Sequence, residues 1–200
     1  LKPQSPNVGT GLEKDVAYNS GVLVIAKDDG KVAYADGAQI VVKRDDGKKD
    51  DIYTLKKFWM SNQETCYNQR VLAKIGDKVK VGDVLADGPA MENGETAIGA
   101  NLKIAYMFWE GFGYEDGIVL SERLVRDDVL SSIQITRHSV QVLETKLGPE
   151  EITRDIPNVS EESLRNLDES GVVFLGANVK PGDVLVGKIA PKGETELSAE

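Results

Sequence analysis

Between residues 21 and 55 the chain alternates short β-branched runs, VLVIA, IVV and IYTL, with the strings Asp28-Asp29-Gly30 and Asp45-Asp46-Gly47. Apolar runs cut by Asp-Gly turns predict an antiparallel meander. Two further apolar runs, 102–109 and 118–120, flank a glycine-rich stretch and are expected to be strands. Two segments break the pattern toward helix. In SEESLRNLDESG (160–171), Ser160 can cap, Glu161 and Glu162 suit a first turn, Leu164 and Leu167 share a face, and Gly171 terminates. In SERLVRDD (121–128), Ser121 is the expected cap of a shorter turn. No apolar run approaches the ~20 residues of a membrane span. The pattern predicts a mostly β chain with one or two short helices.

An internal repeat organises it. GDKVKVGDVLADG (76–88) aligns with GANVKPGDVLVGK (176–188), so Val79, Gly82, Asp83, Val84 and Leu85 recur one hundred residues later. A Gly-Asp turn entering a Val-Leu strand suits a compact β hammerhead or sandwich-barrel, and two copies predict two such modules. Biotinyl and lipoyl carrier domains use similar turns. They require a modifiable Lys, usually after Met, at a hairpin tip, and no Met-Lys pair adjoins either copy.

Net charge narrows the functional classes. The 200 residues carry −9, distributed as −1 over residues 1–100 and −8 over residues 101–200. A surface that grips phosphate unaided should be basic, so weak binding to nucleic acid is expected of the chain alone, and the acidic half is either solvated or a protein-docking face. Cys66 is the only cysteine, which excludes an internal disulfide and suits a reducing compartment. The opening LKPQSPN has neither an initiator Met nor a basic and apolar leader, and reads as a piece of something longer.

Candidate chemistry lies in NLKIAYMFWEGFGYEDGIVLSE (101–122), where the adjacent acids Glu115 and Asp116 stand between apolar runs. Neighbouring strand residues point to opposite faces. The two carboxylates can therefore share one ion only if a turn or bulge reorients one, which Gly113 and Gly117 permit. Phe108, Trp109, Phe112 and Tyr114 could wall a dry site around them; a solvated loop is the plainer alternative. A second cluster, Asn62, Gln63, Asn68, Gln69 and Arg70, surrounds Cys66 and Tyr67. Amides and an Arg can reach phosphate and sugar without reading sequence, or can simply form turns.

Several strings carry a resemblance that spacing alone does not generate: VGTGLE (8–13), SNQETCYNQR (61–70), VGDVLADGP (81–89), GYED (113–116), LSERLVRDD (120–128), KLGPEEITRDIPNV (146–159), RNLDESG (165–171) and GDVLVGKIAPKGETEL (182–197). Together, and in this order, they resemble the β-subunit family of multi-subunit bacterial RNA polymerases. The resemblance implies sandwich-barrel hybrid modules plus part of a double-psi β-barrel. It divides the chain into a hybrid-binding β module (1–100), active-centre strands (101–135) and the first part of the flap domain (136–200). The implied activity is DNA-templated RNA synthesis by the assembled enzyme, with none from the chain alone. A scaffold role within a split or excised subunit is the alternative.

By the same resemblance, Glu115 and Asp116 lie beside the nucleoside triphosphate and the second, exchangeable Mg²⁺, with Asp116 an indirect or transient metal ligand. The first Mg²⁺ belongs to an aspartate triad of the β′ subunit. Asn62, Gln63, Asn68, Gln69 and Arg70 fall where the family cradles the RNA–DNA hybrid. The implied partners are the β′, α and ω subunits, sigma factor through the flap, template DNA and the hybrid, with no membrane. The implied location is the cytoplasm or a plastid stroma. The flap-tip helix that contacts sigma follows KGETEL in the family, and Ser198 is the expected cap of such a helix. The segment ITRHSVQVLET around His138 varies from the family pattern, and three further positions depart from it. Gly113 replaces an Asn, so any contact of that amide is missing. Phe108 replaces a Pro, and Met60 replaces a basic residue, which weakens transfer of nucleic-acid contacts to that loop.

Overall fold

The computed structural model describes residues 1–190 with their side chains and the backbone of 191–192 and 196–199. Gly193, Glu194 and Thr195 of the KGETEL string, and Glu200, lie outside the described residues. The chain divides into two compact units, residues 1–136 and 137–200. Among the described residues no helix is long and apolar enough to cross a membrane.

The first unit opens with helix α1 (Glu13–Asn19) and continues through β1 (Val24–Ile25), β2 (Gly30–Ala35), β3 (Gln39–Arg44) and β4 (Asp51–Thr54). Next come β5 (Trp59–Met60), β6 (Cys66–Tyr67), β7 (Arg70–Val71), β8 (Lys78–Val79), β9 (Val84–Asp87), β10 (Met91–Glu92) and β11 (Glu95–Thr96), and then helix α2 (Glu122–Arg126). β2, β3 and β4 form the expected antiparallel meander, extended to the order β4-β3-β2-β8. Alternation decides which side chains go inside: Val32, Ile40, Val42 and Tyr53 are buried, while Lys31 and Lys43 are exposed. Ile40 faces Tyr53 across one strand pair, and Val32 faces Val42 across the next. With Ala26, Leu55, Val79, Leu85 and Ala86 they make one core.

The first apolar run departs from expectation. Val24 and Ile25 pair with Ala86 and Val84 of β9, in a separate sheet ordered β1-β9-β7, rather than with the meander. The Asp28-Asp29-Gly30 string is therefore a corner between two sheets. Asp28 binds the Arg44 guanidinium at 2.8 Å, and Asp29 accepts from Val81 N at 2.8 Å. Gly30 is flanked by both β3 and β8, and a Cβ there would collide with the Lys43 carbonyl oxygen.

α1 was not anticipated. Its signal is the string Thr10-Gly11-Leu12-Glu13: Leu12 is the N-cap, and the carboxylate of Glu13, the first helical residue, accepts from Thr10 N at 2.6 Å and Gly11 N at 2.9 Å, which ties down the chain just ahead of the helix. These bonds hold the Glu13 carboxyl below the usual carboxylate range. Ala17 then seals a small core with Leu23 and Met91.

The repeat survives as a repeated turn. Asp83 N donates to Lys80 O at 3.0 Å, and Asp183 N donates to Lys180 O at 3.0 Å. Each Asp carboxylate also accepts from its own Lys backbone N, at 2.8 Å and 3.0 Å. Gly82 and Gly182 sit at φ 94° and 97°, the positive value that the third position of such a turn demands. The ladder behind the turn repeats too, with Ala73 N to Leu85 O at 3.1 Å and Val173 N to Leu185 O at 2.9 Å. Residues 74–77 add a copy that the alignment window clipped, since Lys74 N donates to Asp77 Oδ2 at 2.8 Å and Gly76 has φ 96°.

The second unit holds the hairpin of β12 (Glu144–Thr145) and β13 (Gly148–Pro149). A sheet follows, made of β14 (Glu151–Ile152), β15 (Lys188–Lys192) and β16 (Glu196–Ala199). Two expectations fail here. Residues 160–171 form successive turns rather than a helix, with bonds spanning three residues such as Ser163 N to Ser160 O at 3.0 Å. Leu164 and Leu167 are buried as foreseen, in a core with Ile156 and Ile189. However, Asn166 donates to Asp183 at 3.1 Å, and the Asp168 carboxylate takes Ser170 N and Val172 N at 3.0 Å each. Side chains that capture backbone amides in this way compete with a helical ladder. Ser198, expected to cap a helix, instead lies in β16 opposite Ala190.

Glu150 is 7% exposed, accepts from Leu143 N at 2.9 Å and pairs with the Lys188 ammonium at 3.1 Å. The Leu143 N–H first, and Lys188 second, hold its carboxyl below the usual carboxylate range. A depressed carboxyl contributes stability that is present above its unfolded value, about 4.3 for Glu, and lost as pH falls through the folded value. The melting midpoint of the second unit is therefore expected to fall as the pH drops from about 6 to about 3, and less steeply in Glu150→Gln. Calorimetry measures both slopes; identical slopes would contradict this role for the pair.

Candidate functional site

No strand forms between residues 101 and 120, contrary to expectation. A strand requires a neighbour to take its backbone groups, and among the described residues no strand pairs with the segment. Its backbone folds instead into two tight turns. Phe112 N donates to Trp109 O at 2.9 Å, with Glu110 and Gly111 at φ 47° and 77°. Gly117 N then donates to Tyr114 O at 3.1 Å around Glu115, which sits at φ 52°. Left-handed backbone at a non-glycine residue costs about 1–3 kcal/mol. It also breaks strand alternation, which would have sent the two carboxylates to opposite faces. Gly117 closes the arrangement, since a Cβ there would lie 2.6 Å from Phe112 O and 3.0 Å from Tyr114 O.

Glu115 and Asp116 are both exposed at this turn. No cluster of three or more His, Cys, Asp or Glu able to hold a metal occurs among the described residues. The pair offers a hard cation part of its oxygen shell and no more. That suits Mg²⁺, which keeps waters and is often held by one or two carboxylates together with substrate phosphates.

The aromatic wall expected around the acids is not closed within this chain. Phe108 is fully exposed, and Trp109, Phe112 and Tyr114 also face solvent, as do Ile104, Tyr106, Met107 and Ile118. A contiguous exposed apolar stretch marks an interaction surface.

The amide cluster splits by location. β5 and β6 pair Trp59 with Tyr67 and Met60 with Cys66, and Asn62 and Gln63 are exposed at the tip of this hairpin. Ser61 Oγ and Thr65 Oγ1 clasp the turn at 2.6 Å. Gln69 is 5% exposed, and its side chain is used internally: Oε1 accepts from Lys56 N at 2.8 Å and Nε2 donates to Val22 O at 3.0 Å. Arg70 is exposed, with one guanidinium nitrogen donating to Met91 O at 2.8 Å. Asn68 is half-buried, and its Oδ1 is buried with no hydrogen-bond partner.

Sequence reasoning missed the basic and aromatic side of the same hairpin. The Lys56 ammonium lies 5.4 Å from the Trp59 ring centre and 5.3 Å from that of Tyr67, and the Lys57 ammonium lies 5.8 Å from that of Phe58. Burial pushes the Tyr67 phenol up. The string Lys56-Lys57-Phe58-Trp59, passing from basic to aromatic, was the available signal.

The sequence model of the family RNA polymerase Rpb2, domain 6, matches residues 25–200. The chain is 56% identical over its full 200 residues to DNA-directed RNA polymerase subunit beta of Streptococcus sanguinis (strain SK36), of which the match covers 17%. The Streptococcus gordonii (strain Challis) protein of that name is likewise 56% identical over the whole chain, with 17% covered. That of Streptococcus pneumoniae (strain JJA) is 55% identical, with 16% covered. The chain thus spans about a sixth of the length of the curated relatives it matches.

Proposed function

Since this chain belongs to the RNA polymerase Rpb2 domain 6 family, we propose that it works as a central part of the β subunit of a DNA-directed RNA polymerase and contributes to template-directed nucleotidyl transfer in the assembled enzyme. The observation that carries the reading is the Tyr114–Gly117 turn, which presents two adjacent exposed carboxylates, with no cluster of three or more His, Cys, Asp or Glu able to hold a metal among the described residues. A site of that kind can assist a cation already escorted by phosphates but cannot capture one unaided.

Asp116 helps to place the second Mg²⁺ on the triphosphate, with Glu115 beside it. When bound, that ion supplies charge neutralisation for the leaving pyrophosphate. The first ion falls to a β′ aspartate triad. The exposed apolar stretch from Ile104 to Leu120 is covered in the assembly, where the segment pairs as strands with partner chain and completes the double-psi barrel. Asn62, Gln63 and Arg70 touch sugar or phosphate of the RNA–DNA hybrid, with Asn68 and Gln69 shaping the loop behind them.

On this reading residues 1–100 serve as the hybrid-binding module, 101–135 belong to the active centre, and 136–200 open the flap that receives sigma factor. The assembly includes β′, α and ω subunits, takes nucleoside triphosphates and works in the cytoplasm.

The purified chain is expected to show no primer extension with or without Mg²⁺, and to bind duplex DNA more weakly than the ~10⁻⁴–10⁻⁶ M of ordinary non-specific binders. Polymerase reconstituted with a subunit that contains it is expected to extend primers. Extension by the chain alone, or a micromolar gel shift at physiological salt, would overturn the division of labour.

A further inference from the structure

Asp87, at the end of β9, is 1% exposed and spends both carboxylate oxygens on one turn that follows it in the chain. Its Oδ2 accepts from Asn93 N at 2.7 Å and its Oδ1 from Gly94 N at 2.8 Å. The turn joins β10 to β11, where Glu92 faces Glu95. Asn93 and Gly94 take φ 51° and 76°, the two positive values that a two-residue hairpin of this type needs. Asn93 is itself exposed.

Asn followed by Gly is also the dipeptide in which a backbone nitrogen most easily attacks the preceding side-chain amide, because glycine has no Cβ to obstruct the approach. Gly94 N gives up its proton and attacks Asn93 Cγ. A new N–C bond closes a succinimide, and the bond from Asn93 Cγ to its amide nitrogen Nδ2 breaks with release of ammonia. Water then adds to one of the two ring carbonyls and opens the ring to aspartate or isoaspartate.

We propose that Asn93–Gly94 is a latent deamidation site that the buried Asp87 keeps closed. The proton that must leave Gly94 N is held by a carboxylate oxygen, and an adjacent anion disfavours a negatively charged amide nitrogen. The same two bonds fix the hairpin, so Asn93 Cγ and Gly94 N meet only when the turn opens locally. Conversion to isoaspartate would lengthen the backbone by one methylene in a hairpin with room for two residues, and either product adds a carboxylate beside Asp87, Glu92 and Glu95.

Mass spectrometry of the peptide spanning 93–94, with isoaspartyl methyltransferase as the probe for the isomer, follows the reaction in mildly alkaline buffer. The intact folded chain is expected to deamidate at this site about tenfold or more slowly than the same chain in urea, as suits loss of a charge-assisted hydrogen bond. Asp87→Asn that retains the native far-UV spectrum is expected to recover much of that difference. Equal rates for folded and unfolded chain, or an unchanged rate in folded Asp87→Asn, would overturn the proposal. Should that variant fail to fold, hydrogen exchange of the Gly94 amide in the unaltered chain decides: protection is expected, and free exchange would show that Asp87 does not hold the nitrogen.

Discussion

Asp116→Ala in the assembled polymerase is expected to slow nucleotide addition by up to about 10², with open-complex formation and hybrid binding nearly intact. A preorganised electrostatic contact is typically worth ~10²–10³ in rate, and a carboxylate acting on an ion partly through water belongs at or below the low end. The triphosphate and its cation are present only during catalysis, so the loss appears in rate rather than in assembly. Glu115→Ala is expected to be milder. Glu115→Gly adds a control, because glycine accepts the φ of 52° without strain. It removes the carboxylate and keeps the turn, so a defect shared by both Glu115 variants is a defect of charge. Single-nucleotide addition kinetics read these effects.

Leu85→Ala is expected to destabilise the first unit by about 2–5 kcal/mol, which is a large part of the ~5–15 kcal/mol that holds an ordinary domain together. Leu85 is fully buried at the centre of the main core, and its carbonyl accepts from both Leu72 N and Ala73 N. The side chain packs in the core that the β4-β3-β2-β8 and β1-β9-β7 sheets share, and its removal leaves a cavity there. Val81→Ala, at a turn position 63% exposed, is the matched control and should change stability by no more than about 0.5 kcal/mol. Urea unfolding followed by tryptophan fluorescence gives both values; a similar small effect at the two positions would mean that the core does not turn on Leu85.

What could be read from the sequence was what local chemistry decides. The meander of β2, β3 and β4 followed from alternation and an Asp-Gly turn, and the repeated Lys-x-Gly-Asp turn followed from a glycine that must take positive φ. Ser121 was readable as a cap, and its hydroxyl accepts from Arg123 N in α2. What the sequence hid depends on distant partners. The VLVIA run has the composition of a meander strand, yet β9, some sixty positions on, competes for it. The 160–171 segment has the caps and apolar spacing of a helix, but Asn166 and Asp168 divert its backbone toward Asp183, Ser170 and Val172. At the candidate site the acids and their glycines were visible, and so was the need for a reorienting turn. Not visible was that the apolar runs on both sides find no strand partner among the described residues, because strand pairing is a property of two segments. The amide cluster shows the same limit: Gln63 and Gln69 are equivalent as letters, while one is displayed at a hairpin tip and the other is consumed by Lys56 and Val22.

The most direct test is the Mg²⁺ dependence of single-nucleotide addition by polymerase carrying wild-type or Asp116→Ala β subunit. If Asp116 helps to hold the second ion on the triphosphate, the variant needs a higher Mg²⁺ concentration for half-maximal rate and is partly rescued as Mg²⁺ rises. If the two enzymes saturate at the same Mg²⁺ concentration, or the variant differs only in how much subunit enters the complex, the acidic turn is structural and the proposed role fails.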